Sequence, residues 1–264
     1  MTVNWPDRWA AALLTGAAAG LLSGLFGVGG GIIMVPALVY LVGLDQIRAH
    51  GTSLAAVMLL ALSSGSSYAL AGKIDWHVAA LLALGSTLGA WTGARLLHAL
   101  NPRIAALIFT LMLVATAMRL FLGGDDVGAR HQMTLLVSLA LVLGGVFAGL
   151  LAGLLGVGGG AILVPMMIVG LGVPTVIAKG TSLAVIVVSS VVGTIGNRRH
   201  ANVDLPVALL VGFSGVVSAY LGGRVSLGLP DRLANRLFAA LLVVVATKMA
   251  GDLYRNRVKA DPAG

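Results

Sequence analysis

The chain has 264 residues, of which 58% are hydrophobic and 10% charged, with a mean hydropathy of +1.01 and a formal net charge of +8. A soluble domain carries about a quarter charged residues, so this composition excludes a protein that covers its own surface in water. The absence of cysteine excludes disulfides and thiolate metal sites.

Charge-free runs cover residues 9–44, 51–72, 76–94, 104–118, 132–178, 180–197 and 205–223. Several reach the roughly 20 residues that cross a bilayer as helix. Barrel strands would alternate apolar and polar positions, and these runs do not. The fold class expected is therefore an all-α polytopic membrane protein.

Taken in order, apolar segments lie near 9–26, 31–43, 51–71, 76–98 and 103–122. Arg8 before the first of them resembles the start of a signal peptide, but Gly20 to Pro36 has a counterpart deep in the chain, which argues against cleavage. A polar stretch, "GGDDVGARHQ" at 123–132, reads as a linker. Five more segments follow near 133–155, 160–172, 180–197, 204–227 and 232–250. The expected organisation is a first transmembrane repeat over 1–122, the linker, and a second repeat over 133–264 with a short C-terminal tail.

The repeat is read from a shift of 129 residues. "GLFGVGGGIIMVP" (24–36) matches "GLLGVGGGAILVP" (153–165) at ten of thirteen positions, and "AHGTSLA" (49–55) matches "AKGTSLA" (178–184) at six of seven. The same shift pairs Asp75 with Asp204, Arg95 with Arg224 and Phe109 with Phe238. As one helix, the 47 residues of 132–178 would extend about 70 Å, so this run must turn or break. Eight to ten transmembrane segments result, and the length argument favours inverted repeats. Lys and Arg number ten against seven in favour of the N-terminal side, which places both termini in the cytoplasm.

The triple-glycine stretches are where helix should fail. Irregular backbone at membrane depth persists only inside protein or against water. The N–H groups freed at the next helix start favour an anion, and matched breaks in two halves point to a transport site. Candidate anion-binding residues are therefore Gly27, Gly29, Gly30 and Gly31 with Gly156, Gly158, Gly159 and Gly160. Gly16, Gly20, Gly85, Gly89, Gly144 and Gly145 instead fit close helix packing.

The second motif adds His50, Gly51, Thr52 and Ser53, with Lys179, Gly180, Thr181 and Ser182. The hydroxyls could cap helices or face an oxyanion, and His50 and Lys179 offer a cation beside them. Asn197, whose counterpart is Tyr68, is expected to share a cavity with it. Asp75 and Asp204 read as helix caps.

Other chemistry finds little support. The chain has no glutamate, and its nine aspartates sit at segment ends or loops, so paired carboxylates and an intramembrane proton relay are not expected. The five histidines lack metal-ligand spacing. Basic residues are spread singly, which argues against nucleic acid. We expect no enzyme activity, no cofactor and no metal; the partners are a small anion and the lipid bilayer.

GVGGG-x-x-x-VP early in each half, followed by GTSLA, resembles the sulfite exporter TauE/SafE family, also grouped as toluene sulfonate uptake permeases. The resemblance covers almost the whole chain and implies an inner-membrane, multi-pass anion carrier for a sulfur oxyanion, organosulfonate or organic acid. Our own reading adds that one half rocks against the other. A channel or a non-transporting scaffold is the alternative.

Overall fold

The computed structural model describes residues 5–96, 102–122, 134–155, 159–199 and 201–260. The described residues form ten helices: α1 (Trp5–Phe26), α2 (Gly31–Tyr40), α3 (Gln46–Leu70), α4 (Trp76–Leu96), α5 (Pro102–Phe121), α6 (Leu135–Leu155), α7 (Gly160–Leu171), α8 (Thr175–Arg199), α9 (Leu205–Gly228) and α10 (Asp231–Ala260). Five of them, α1, α3, α8, α9 and α10, are long and apolar enough to cross a membrane.

Helix starts follow local chemistry. Asp45 caps α3 by accepting the Arg48 N–H at 3.0 Å. Asp75 and Asp204 do the same for Val78 and Val207, each at 3.2 Å, as their sequence positions suggest. Helix α3 thus begins at Gln46, five residues before the expected 51. Arg48 interrupts the apolar run but not the helix, because the cap has already set the backbone.

The burial pattern is that of a protein dissolved in lipid. Leu14, Leu136 and Val217 stand out from the surface at 71, 76 and 66% exposure, while Ser23, Thr52, Ser53, Ser64, Ser67, Thr181, Ser182 and Lys179 are buried. Many hydroxyls thus sit inside beside the apolar core while large aliphatic side chains also cover the outside, the arrangement expected where the surrounding medium cannot hydrogen-bond.

Small residues build two seams. Along α1 and α9, a Cβ on Gly16 would strike the Val211 carbonyl, one on Gly20 the Gly215 carbonyl, and one on Gly24 the Ala219 carbonyl. Along α4 and α6, Gly145 meets the Leu82 carbonyl and Gly149 the Ser86 carbonyl. These glycines let backbones touch, the packing role expected of several of them. The residue offsets are constant along each seam, so each pair of helices runs parallel.

At the centre α3 and α8 run antiparallel. Gly51 neighbours the Asn197 Cβ, Leu54 neighbours Gly193, and Gly65 neighbours Leu183. Helix α9 lies parallel to α3, tied by Ser63 Oγ donating to the Val216 carbonyl at 2.6 Å and Ser67 Oγ to the Tyr220 carbonyl at 3.1 Å.

Candidate functional site

The first glycine stretch does break the chain. Helix α1 stops at Phe26, and the Gly27 N–H returns to the Ser23 carbonyl at 2.9 Å. Gly27, Gly29 and Gly30 then take φ of 69°, 77° and 73°, a left-handed region that L side chains rarely adopt. Gly30 is the N-cap of α2, and Gly159, with φ 72°, is the N-cap of α7. Val28, Gly29, Gly30 and Gly31 are buried. Among the described residues no acceptor meets their N–H groups. A buried donor without a partner costs about 1–3 kcal/mol, so four together form a strong local demand for negative charge, reinforced by the dipole of α2.

The two breaks come together. A Cβ on Gly160 would lie 2.8 Å from both the Cα and the carbonyl carbon of Val28. Gly29 rests between Val57 of α3 and Ile186 of α8, at 3.1 and 3.3 Å from the position a Cβ would take. Val57 and Ile186 are themselves 129 residues apart. The breaks therefore meet between the middles of the antiparallel central pair. Gly156 and Gly158 lie outside the described residues.

The Gly-Thr-Ser motifs serve a purpose different from capping their own helices. Thr52 and Thr181 sit well inside α3 and α8. Thr52 Oγ1 accepts the N–H of Asp204, and Thr181 Oγ1 accepts that of Asp75, each at 3.0 Å. Beside them, a side chain on Gly51 would strike the Asn202 carbonyl, and one on Gly180 the Lys73 carbonyl. Glycine thus admits the loop before the next capped helix, and threonine fastens it. Serine does neither. Ser53 and Ser182 are fully buried, yet their hydroxyls have no hydrogen-bond partner.

Ser182 has a telling place. A Cβ on Gly27 would lie 2.6 Å from the Lys179 Cα, and Gly29 packs on Ile186. The first break therefore runs along one stretch of α8 from Lys179 to Ile186, with Ser182 in the turn between.

Lys179 is the one charged side chain among the described residues that is buried, at 1% exposure. Its ammonium donates to Ser226 Oγ at 3.3 Å. It also lies 5.8 Å from the ring centroid of Phe26 and 5.5 Å from that of Phe238, whose rings stack 6.0 Å apart. Such contacts favour a cation, but among the described residues no carboxylate pairs with it. An ammonium has three donors, so hydrogen-bonding capacity is left over.

The sequence-derived candidates divide into two groups. Gly27, Gly29, Gly30, Gly31, Lys179, Gly180, Thr181 and Ser182 extend from the middle of the central pair toward the end where α3 finishes. His50, which is half-buried, lies with Gly51, Thr52, Ser53 and Asn197 toward the opposite end. Tyr68 and Asn197 do not share a cavity, contrary to expectation. The Tyr68 Cβ neighbours Gly180, whereas the Asn197 Cβ neighbours Gly51. Equivalent residues near the ends of antiparallel helices are carried to opposite ends, whereas those at the middle, such as Val57 and Ile186, meet.

Sequence reasoning missed Phe26, Phe238 and Ser226, and also Arg119, which donates to the Ile168 carbonyl in the last turn of the short α7. Ser226 has Leu97 as its counterpart, so comparing the halves could not flag it. A cavity of about 380 Å³ opens where α1, α3 and α9 begin, with Trp9, Asp45, Arg48 and Asp204 in its wall.

Comparison with known proteins adds an independent line. A family model described as Sulfite exporter TauE/SafE matches residues 2–120. A probable membrane transporter protein of Haemophilus influenzae is 30% identical over 257 residues, covering 90% of this chain and 96% of its own. One from Xylella fastidiosa strain Temecula1 is 30% identical over 238 residues, covering 88 and 91%. The probable membrane transporter protein YunE of Bacillus subtilis is 25% identical over 257 residues, covering 88 and 92%. No solved structure matches the chain.

Proposed function

Because the chain belongs to the sulfite exporter TauE/SafE family of membrane transporters, we propose that it carries a small anion, a sulfur oxyanion, organosulfonate or organic acid, at the meeting point of its two glycine breaks. One observation carries the reading: four buried N–H groups without acceptors, at Val28 to Gly31, lie along the turn of α8 that holds Lys179 and the unpartnered Ser182. Backbone donors and a helix start recognise the oxyanion. Lys179 supplies one compensating positive charge, and Ser182 supplies a hydroxyl donor.

The antiparallel α3 and α8 support reading the halves as inverted repeats, each of five helices, with both termini on one face of the membrane. We assign that face to the cytoplasm of a bacterial-type inner membrane from the excess of Lys and Arg on the N-terminal side. With aspartates at or beyond the ends of the apolar spans, Asp252 of α10 lying just past its span, transport is driven by the membrane potential or the anion gradient, and we favour export. No catalytic step is required of any residue.

The test is flux of labelled sulfite, thiosulfate, sulfoacetate and an organic acid in proteoliposomes of the purified protein. Saturable flux of at least one of them, lost in Gly30→Leu and in Gly159→Leu while membrane insertion persists, is the expected result. Flux unaffected by both substitutions would remove the glycine breaks from the mechanism. Single-channel currents would replace the carrier by a channel.

A further inference from the structure

The end of α1 is fastened from three directions. A helix leaves its last four carbonyls without internal partners. In α1 the Ser23 carbonyl is taken by the Gly27 N–H at 2.9 Å. The Gly24 carbonyl accepts the Tyr68 hydroxyl at 2.8 Å, from α3. The Leu25 carbonyl accepts Ser226 Oγ at 2.9 Å, from α9. Lys179 of α8 completes the set by donating to Ser226 Oγ at 3.3 Å. Its charge also sits at the negative end of the α1 dipole. Immediately after this fastening come three glycines of positive φ, where backbone rotation is least hindered.

The other half has no such device in its described residues. The counterpart of Tyr68 is Asn197, which donates within its own helix to the Gly193 carbonyl at 2.9 Å. In sequence, Leu97 stands at the position equivalent to Ser226, and its side chain has no hydrogen-bond donor. His50 stands in the place of Lys179, and among the described residues it makes no side-chain hydrogen bond. Two copies of one unit have therefore diverged at the three positions that hold a helix end.

We infer that Tyr68, Ser226 and Lys179 form a one-sided latch that holds the first glycine break closed toward the membrane face where α3 ends and α8 begins. Release of the latch frees the end of α1 to turn at Gly27 and admits solvent from that face to Val28, between the breaks. The proposed transport site bears on the latch only in what its release would admit. The geometry of the latch stands without it. Tyr68 and Ser226 act here as positioning residues.

The chain contains no cysteine, so Val28→Cys introduces a single thiol at a buried position, 3% exposed. Its modification by a membrane-impermeant maleimide is timed in intact cells and in inside-out vesicles. Tyr68→Phe and Ser226→Ala, each added to Val28→Cys, are expected to speed modification about tenfold, the effect of losing one hydrogen bond, and only from the face where α3 ends. Ser226→Thr, which keeps the hydroxyl, is expected to restore the slow rate. Unchanged rates in folded protein, or equal acceleration from both faces, would overturn the latch. Failure of the carrier reading shows itself separately, as anion flux indifferent to Gly30→Leu while modification still follows the latch.

Discussion

Thr52 accepts the backbone N–H of Asp204 at 3.0 Å, and 129 residues on, Thr181 accepts that of Asp75 at the same distance. Each bond fixes a loop of one half against a central helix of the other. Thr52→Val and Thr181→Val keep the shape but take the hydroxyl acceptor from a partly buried N–H, at about 1–3 kcal/mol each. Both variants should lower the melting temperature in detergent, and Thr→Ser at either position should recover most of the loss. Equal melting of the Val and Ser variants would mean the hydroxyl is not the fastening atom.

Gly51 and Gly180 tolerate no side chain, because a Cβ at each would strike a backbone carbonyl that cannot swing aside. We expect Gly51→Ala and Gly180→Ala to reduce the yield of folded protein sharply. Gly170→Ala, where a Cβ meets nothing within 4 Å, should express and melt like the parent. Size-exclusion profiles of the three variants in one detergent make the comparison.

The orphaned serines give a prediction of opposite signs for stability and transport. Ser182→Ala removes a buried hydroxyl without a partner, so stability should hold or rise, by at most about 1–3 kcal/mol. Anion flux should fall in the same variant, because a donor to the anion is gone. Loss of both together would make Ser182 a packing residue, and retention of both would take it out of the site.

Lys179→Met replaces a buried ammonium by an apolar side chain of similar length. Burying an ammonium with no carboxylate at ion-pair distance is costly, so the variant should melt at the parent temperature or above. Its anion flux should nevertheless fall by at least about tenfold, or 1.4 kcal/mol. A variant that melts lower and carries anions normally would assign Lys179 to the structure alone.

Much of this was legible in the sequence, for physical reasons. Apolar runs too long for one crossing, interrupted by three consecutive glycines, leave a helix break as the simplest solution, and positive φ at Gly27, Gly29 and Gly30 bears that out. The aspartate caps were readable because capping is local. The role of Thr52 was not, since its partner is 152 residues away. Phe26, Phe238 and Ser226 carried no signal for the same reason: only folding brings them to Lys179. The separation of Tyr68 from Asn197 escaped because alignment shows equivalence, while antiparallel packing sends equivalent residues to opposite ends.

The glycine seams bear on how such a molecule can move. Helix α1 is pressed backbone to backbone against α9, and α6 in like manner against α4, so the first five helices are clasped by the last five. A rocking of the first five helices as a solid piece against the last five would have to unzip both seams at once. The bodies free to shift are the stubby α2 and α7, jointed at glycine, together with the end of α1 once its latch is released.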